Sequence, residues 1–131
     1  MNRVRSGLDM VEIQRLDEIS EGIRERFLTR VFTSAERAAS ASTASLAGRF
    51  AAKEAVAKVL GCGIGFVHWQ DIEILSSKSG EPFLKLHGKA IEAANQLGII
   101  DWSISITHTR SLAAAVAVAL CSDDDDSLPD A

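Results

Sequence analysis

Glu54 and Lys58 stand four residues apart in a stretch, residues 46–60, whose apolar positions recur with helical period. At about 100° per residue the acid and the base share one face with Phe50, while Gly48, Ala52, Ala55, Val56 and Val59 occupy the opposite arc. An acid and an ammonium so placed can serve a metal and the phosphates it neutralises. They can equally form a solvated helix pair worth about 0.3 kcal/mol. Asp9 adds a second carboxylate, set in the otherwise apolar segment Gly7-Leu8-Asp9-Met10-Val11, where an unpaired charge is costly if buried. Two carboxylates from different elements, completed by water and diphosphate oxygens, are a common way of holding Mg²⁺ against a phosphate substrate. The competing reading pairs Asp9 with Arg15. His108 taken alone reads as an ordinary histidine in a strand-end turn, and His68 and His87 as structural histidines.

The elements that must position these groups are legible in outline. Residues 7–13 alternate as a short strand, with Leu8, Met10 and Glu12 on one side and Asp9, Val11 and Ile13 on the other. Residues 14–30 carry helical periodicity broken near Ser20 and Gly22, and Thr33 with Glu36 forms a capping box that opens another helix. The Ala/Ser-rich residues 38–47 read as a connector. The helix over 46–60 stops at Gly61-Cys62-Gly63-Ile64-Gly65. Residues 71–75 and 83–86 predict a hairpin, residues 88–97 a helix, and residues 102–107 and 112–120 a second antiparallel pair, with 112–120 open to a helical reading because it is rich in alanine. The class expected is α+β, an antiparallel sheet packed by helices in a single domain over residues 1–121, followed by an acidic tail, 122–131, expected to be disordered.

The totals exclude several functions. The chain has 131 residues, 47% hydrophobic and 24% charged, and no apolar run approaches the roughly 20 residues of a membrane span. The net charge of −4 is concentrated in the tail, where Asp123, Asp124, Asp125, Asp126 and Asp130 have no balancing base. The remainder is nearly neutral and offers no broad nucleic-acid footprint. Cys62 and Cys121 are far apart and without metal-ligand spacing, and no signal peptide is visible, so a reduced, cytoplasmic setting is expected.

Three blocks in order resemble a known family: Gly7-Leu8-Asp9-Met10-Val11-Glu12-Ile13 with Arg15, Phe32-Thr33 and Glu36; Leu46-Ala47-Gly48-Arg49-Phe50-Ala51-Ala52-Lys53-Glu54-Ala55-Val56-Ala57-Lys58-Val59-Leu60-Gly61; and Ser103-Ile104-Ser105-Ile106-Thr107-His108-Thr109. Together they are similar to holo-acyl-carrier-protein synthases, the 4′-phosphopantetheinyl transferases that load carrier proteins for fatty acid biosynthesis. The resemblance spans residues 7 to about 120. It departs from the family at the shorter segment 37–45, at Cys62 and at Leu112.

The resemblance implies that Asp9 and Glu54 bind Mg²⁺ on the diphosphate of coenzyme A and that Lys58 sits against the same phosphates, these three forming the catalytic set. It places Arg49, His108 and Thr109 near the 3′-phosphate and adenine, with Lys53, Gly61 and Gly63 shaping the adjoining wall. Arg15 is the implied contact for an acidic acyl carrier protein, with Arg24, Arg26 and Arg30 beside it. A homotrimer with sites at subunit interfaces is also implied. The alternative is a non-catalytic coenzyme A or nucleotide-binding module of the same fold.

Overall fold

The computed structural model describes residues 2–61 and 63–122. In chain order the elements are β1 (Arg3–Glu12), α1 (Ile13–Glu18), α2 (Glu21–Val31), α3 (Ser34–Ala39), α4 (Thr43–Leu60), a 3₁₀ turn (Trp69–Asp71), β2 (Ile72–Ser76), β3 (Pro82–Leu86), α5 (Gly88–Gln96), β4 (Ile99–His108) and β5 (Leu112–Cys121). β1, β5 and β4 form an antiparallel sheet in that order, and β2 and β3 form a separate hairpin. The α+β class expected from the sequence is the one observed.

β5 is a strand, which settles the ambiguity of its alanine-rich sequence. Its small residues alternate: Ala113, Ala115, Ala117, Ala119 and Cys121 are buried against α4, while Leu112, Val116, Val118 and Leu120 face the other side half-buried. Strong period-2 alternation and a neighbour on each edge decide against a helix. α4 answers with small residues of its own, Ala47, Gly48, Ala51, Ala52 and Ala55, all buried, so helix and sheet approach closely. Closest of all is Gly7 on β1, where a Cβ would lie 2.1 Å from the Ala55 carbonyl oxygen.

Several boundaries differ from expectation. β1 begins at Arg3 and ends at Glu12, and Ile13 opens α1, where it packs with Leu16, Ala47 and Ala113. The helical break near Ser20 is real: α1 and α2 are separate helices. The connector shrinks to residues 40–42, because α3 ends at Ala39 and α4 already starts at Thr43, its N-terminus capped by the Ser42 hydroxyl accepting from the Ser45 amide at 3.1 Å. The box at Thr33 forms as expected, with the Glu36 amide donating to Thr33 Oγ1 at 3.1 Å and the Thr33 amide to Glu36 Oε1 at 2.9 Å. The acidic run of the tail lies outside the described residues; Ser122 itself donates its amide to Gly98 at 2.8 Å. Among the described residues, no helix is long and apolar enough to cross a membrane.

The hairpin is fastened to α4 by buried charge. The backbone groups of β2 that β3 does not use are taken by side chains: the Ile74 amide donates to Glu36 Oε2 at 2.9 Å, Arg49 Nε donates to the Ile74 carbonyl at 3.1 Å, and Lys53 Nζ donates to the Ile72 carbonyl. Lys53 and Glu36 also pair with each other at 2.8 Å with both side chains fully buried. An edge that would otherwise cost several unmade hydrogen bonds is thereby satisfied without another strand.

The approach at Gly7 generates a direct test. Gly7→Ala should destabilise the protein by about 3 kcal/mol or more, because the atom in its way is backbone and cannot swing aside. Urea unfolding of the variant against wild type reads this as a lowered midpoint; an unchanged midpoint would mean that β1 and α4 are not held this close.

Candidate active site at the β1–α4 seam

Asp9 lies two residues beyond Gly7, so its side chain projects from the same face of β1 toward α4. There Lys58 Nζ donates to the Leu8 carbonyl at 2.7 Å and to Asp9 Oδ1 at 3.2 Å. The other oxygen, Asp9 Oδ2, is buried with no hydrogen-bond partner. Glu54, one turn before Lys58, is close enough to feel both. Burial first, then the negative charge of Asp9 and a hydrogen bond to it, raise the Glu54 carboxyl above the ordinary carboxylate range, and Lys58 offsets only part of the rise. Two carboxyls in this relation share either a proton or a cation.

The cation that fits is one that needs few protein ligands. Among the described residues there is no cluster of three or more His, Cys, Asp and Glu side chains that would hold a metal alone. A buried, orphaned carboxylate oxygen beside a second carboxylate suits Mg²⁺, which keeps water and substrate phosphate as most of its shell. Asp9 and Glu54 are the residues that would hold it.

Glu54 stands between two clefts. One, of about 420 Å³, is lined by Glu54, Ala57, Lys58, Gly61, Gly63, Ile64 and Trp69. The other, of about 410 Å³, has Asp9, Glu12, Arg15 and Glu54 at its polar end and Met10, Leu16, Ile19, Phe27, Phe50 and Leu112 as its apolar wall. A separate cavity of about 450 Å³ between β3 and β4 touches none of these carboxylates and lies apart from the chemistry. Gly61 and Gly63, both with positive φ, give the first cleft a floor without side chains.

The structure thus brings together Asp9, Glu54, Lys58, Gly61, Gly63 and Arg15, and places the other expected residues elsewhere. Arg49 is nearly buried and committed: besides Ile74 it donates to Ser45 Oγ at 2.7 Å and to Ser76 Oγ at 2.9 Å, and burial pulls its pKa down. It lines neither cleft within the single chain, where its contacts join α4 to β2. Lys53 is engaged likewise: its three N–H groups are taken by Glu36 and by the carbonyls of Trp69 and Ile72, and burial pulls its pKa down against the pull of Glu36. His108 ends β4 across β5 from Val11, two residues along from the Asp9 register, and Thr109 follows it, so both lie two strand spacings, about 10 Å, from β1 and farther from Asp9. The Thr109 hydroxyl caps the β4–β5 turn by accepting from the Leu112 amide at 3.1 Å. His87 is structural, as expected, with Nε2 3.0 Å from Glu73 Oε1. Burial pushes Glu73 up, but its hydrogen bonds to Thr33 and His87 outweigh that and hold its pKa below the usual value.

Trp69 was missed in the sequence, and Phe50 was noted only for its helical face. Phe50 and Trp69 stack at 5.2 Å between centroids and wall opposite clefts. Phe50 shares the helical face of Glu54 and was visible there; Trp69 lies in a loop whose position only the fold reveals.

Comparison with known proteins decides the family. Residues 5–121 match the 4′-phosphopantetheinyl transferase superfamily. The chain belongs to that family. A holo-[acyl-carrier-protein] synthase of Moorella thermoacetica is 45% identical over 119 residues, covering 88% of this chain and 92% of the relative. That of Solidesulfovibrio magneticus is 46% identical over 115 residues, covering 86% and 94%. Among solved structures, Helicobacter pylori holo-[acyl-carrier-protein] synthase in complex with coenzyme A superposes with a TM-score of 0.78 at 33% identity, covering 87% of this chain and 98% of that one. The family is one of enzymes, and its fold is the fold described above.

The raised Glu54 carboxyl makes the metal-free protein sensitive to pH. A pKa higher in the folded than in the unfolded chain contributes stability below the unfolded value, and that contribution is lost as pH rises through the folded value. In EDTA, thermal stability should therefore fall as pH rises above the ordinary glutamate range. Glu54→Gln should flatten this dependence and melt higher than wild type at neutral pH. Parallel melting curves for the two proteins from pH 4 to 8 would refute the carboxyl–carboxyl coupling.

Proposed function

We propose that this protein transfers the 4′-phosphopantetheine group of coenzyme A to a serine of an apo-acyl carrier protein, releasing adenosine 3′,5′-bisphosphate, in a Mg²⁺-dependent reaction of fatty acid biosynthesis in the cytoplasm. The observation that carries the reading is the convergence of Asp9, Glu54 and Lys58 on one seam, between two clefts, in a chain of this family.

In the transfer, the serine oxygen forms a bond to the β-phosphorus of the diphosphate while the bond from that phosphorus to the bridging oxygen breaks, leaving that oxygen on the adenosine bisphosphate. Bound Mg²⁺ would supply positive charge to the diphosphate. Lys58 is half exposed and fixed by the Leu8 carbonyl, which aims its ammonium along the mouth of the cleft where charge develops on the leaving group. The serine proton passes to Glu54 or to a water that Glu54 orients; a carboxylate holding a metal is a poor base, which favours the route through water. The two clefts divide the substrates: the glycine-floored one takes the nucleotide, and the one at Arg15 receives the carrier serine with its neighbouring apolar side chains.

Arg15 meets an acidic carrier at the rim of its cleft, and exposed Arg26 and Arg30 on α2 extend the positive surface, while Arg24 is partly occupied by Asp17 at 3.5 Å. The outer face of the sheet supports assembly. Val4, Leu8 and Met10 are 61–66% exposed there, beside half-buried Val116 and Val118, on a face that no helix among the described residues covers. A homotrimer closing that face would bring His108 and Thr109 toward the cleft of a neighbouring copy, which is the role left open by their distance from Asp9 within one chain.

The test mixes the protein with apo-acyl carrier protein, coenzyme A and Mg²⁺ and weighs the carrier by intact mass spectrometry; a phosphopantetheine adduct is expected. Coenzyme A binding without an adduct on several carriers would instead establish the non-catalytic module. Asp9→Ala should abolish transfer, and Lys58→Ala should lower kcat about 10²-fold with a smaller change in KM. Undiminished turnover of Asp9→Ala would remove the metal site from the mechanism.

A further inference from the structure

The C-terminal end of α2 is held by a residue far from it in sequence. The last carbonyls of a helix have no partner within it. Here the Leu28 carbonyl accepts from the Phe32 amide at 3.0 Å, and the next one, of Thr29, accepts from Gln70 Nε2 at 2.6 Å. The same side-chain amide donates to the Phe32 carbonyl at 3.2 Å, so one group spans the end of the helix. Gln70 can do this because its own backbone is fixed. It is the middle residue of the 3₁₀ turn Trp69–Asp71, where the Trp69 carbonyl accepts from Lys53 Nζ at 3.0 Å and the Asp71 carbonyl from the His87 amide at 2.8 Å. Earlier in α2, the Arg37 guanidinium donates to both oxygens of Glu25, at 2.9 and 3.1 Å. Between the two residues that Gln70 holds stands Arg30, exposed in the last turn, and Arg30 and Gln70 border one cavity of about 520 Å³.

We propose that Gln70 is a positioning residue for the acidic carrier: it fixes the last turn of α2 and so presents Arg30 to the carrier surface. This rests on the reading that α2 extends the positive surface begun at Arg15. Val31 and Phe32 are buried and anchor the turn on its inner side. Its outer side is left to the bonds its carbonyls make. Water would satisfy those carbonyls too, but it would leave the turn free to fray, whereas Gln70 ties them to a rigid part of the fold. An arginine whose backbone is already held pays less ordering entropy when a partner docks on it. Gln70 brings no charge of its own, so its effect on an acidic partner must run through Arg30.

Fluorescence anisotropy of labelled apo-acyl carrier protein, titrated with this protein in the absence of coenzyme A, measures docking without the transfer step. Arg30→Ala should weaken binding about ten-fold, and Gln70→Met, which keeps the length of the side chain but removes its donors, about five-fold. Because Gln70 acts through Arg30, the double variant should bind like Arg30→Ala alone, not about fifty-fold more weakly than wild type. Both single losses should shrink at high salt, which screens the arginine. In steady-state transfer, Gln70→Met should raise KM for the carrier with kcat and KM for coenzyme A near wild type. Undiminished carrier binding by either single variant, multiplied losses in the double variant, or losses that high salt leaves intact overturn the proposal. The expected binding pattern in a protein that forms no holo-carrier would uphold the role of Gln70 while defeating the transfer reading.

Discussion

The site depends on how closely β1 can lie against α4. At Gly7 the helix carbonyl of Ala55 occupies the space a side chain would need, so the strand is in direct backbone contact with the helix. That contact fixes the height of Asp9 relative to Glu54 and Lys58, which sit one residue before and three residues after Ala55. The alanines of β5 and α4 extend the same close approach along the sheet. Small residues in this core therefore do more than fill volume: they set the separation at which a carboxylate on a strand and two charged groups on a helix form one site.

A second constraint fixes the helix in rotation. Arg49 and Lys53, at i and i+4, hold β2 by its backbone on one flank of α4, while Glu54 and Lys58, also at i and i+4, face the clefts on another. Rolling the helix to improve one set would break the other. Buried ion pairs contribute little net stability relative to apolar packing, but removing one partner strands a charge. The Glu36–Lys53 pair is accordingly better understood as a device for register than as a source of stability.

The sequence made the periodic parts legible. The capping box at Thr33, the helix carrying Glu54 and Lys58, the hairpin and the partition of β1 into an Asp9–Val11 face and a Leu8–Met10 face all followed from local chemistry or period. Boundaries failed where local signals are weak: alanine and serine at residues 40–45 fit helix or loop equally, and only packing against the core extends α4 to Thr43. Side-chain fates were the least legible. A sequence does not show that Lys53 points inward and Lys58 outward, since both are lysines on one helix; their difference follows from which flank meets the hairpin. Trp69 was invisible for the same reason, because its place at the cleft is set by long-range hydrogen bonds from Lys53 and Gln70.

The electrostatics of the seam explain why substrate and cation should be interdependent. Lys58 gives one positive charge to a region holding two carboxyls, and it neutralises only Asp9 Oδ1 directly. Glu54 therefore keeps a raised pKa, and Asp9 Oδ2 stays unsatisfied in a buried position. A divalent cation would correct that deficit but would then carry the excess charge instead, with few protein oxygens to satisfy its shell. A diphosphate supplies both the missing oxygens and the opposing charge. Each component would thus relieve an imbalance left by the others: the cation would let two carboxyls and a diphosphate lie together, and the diphosphate would complete the cation's shell.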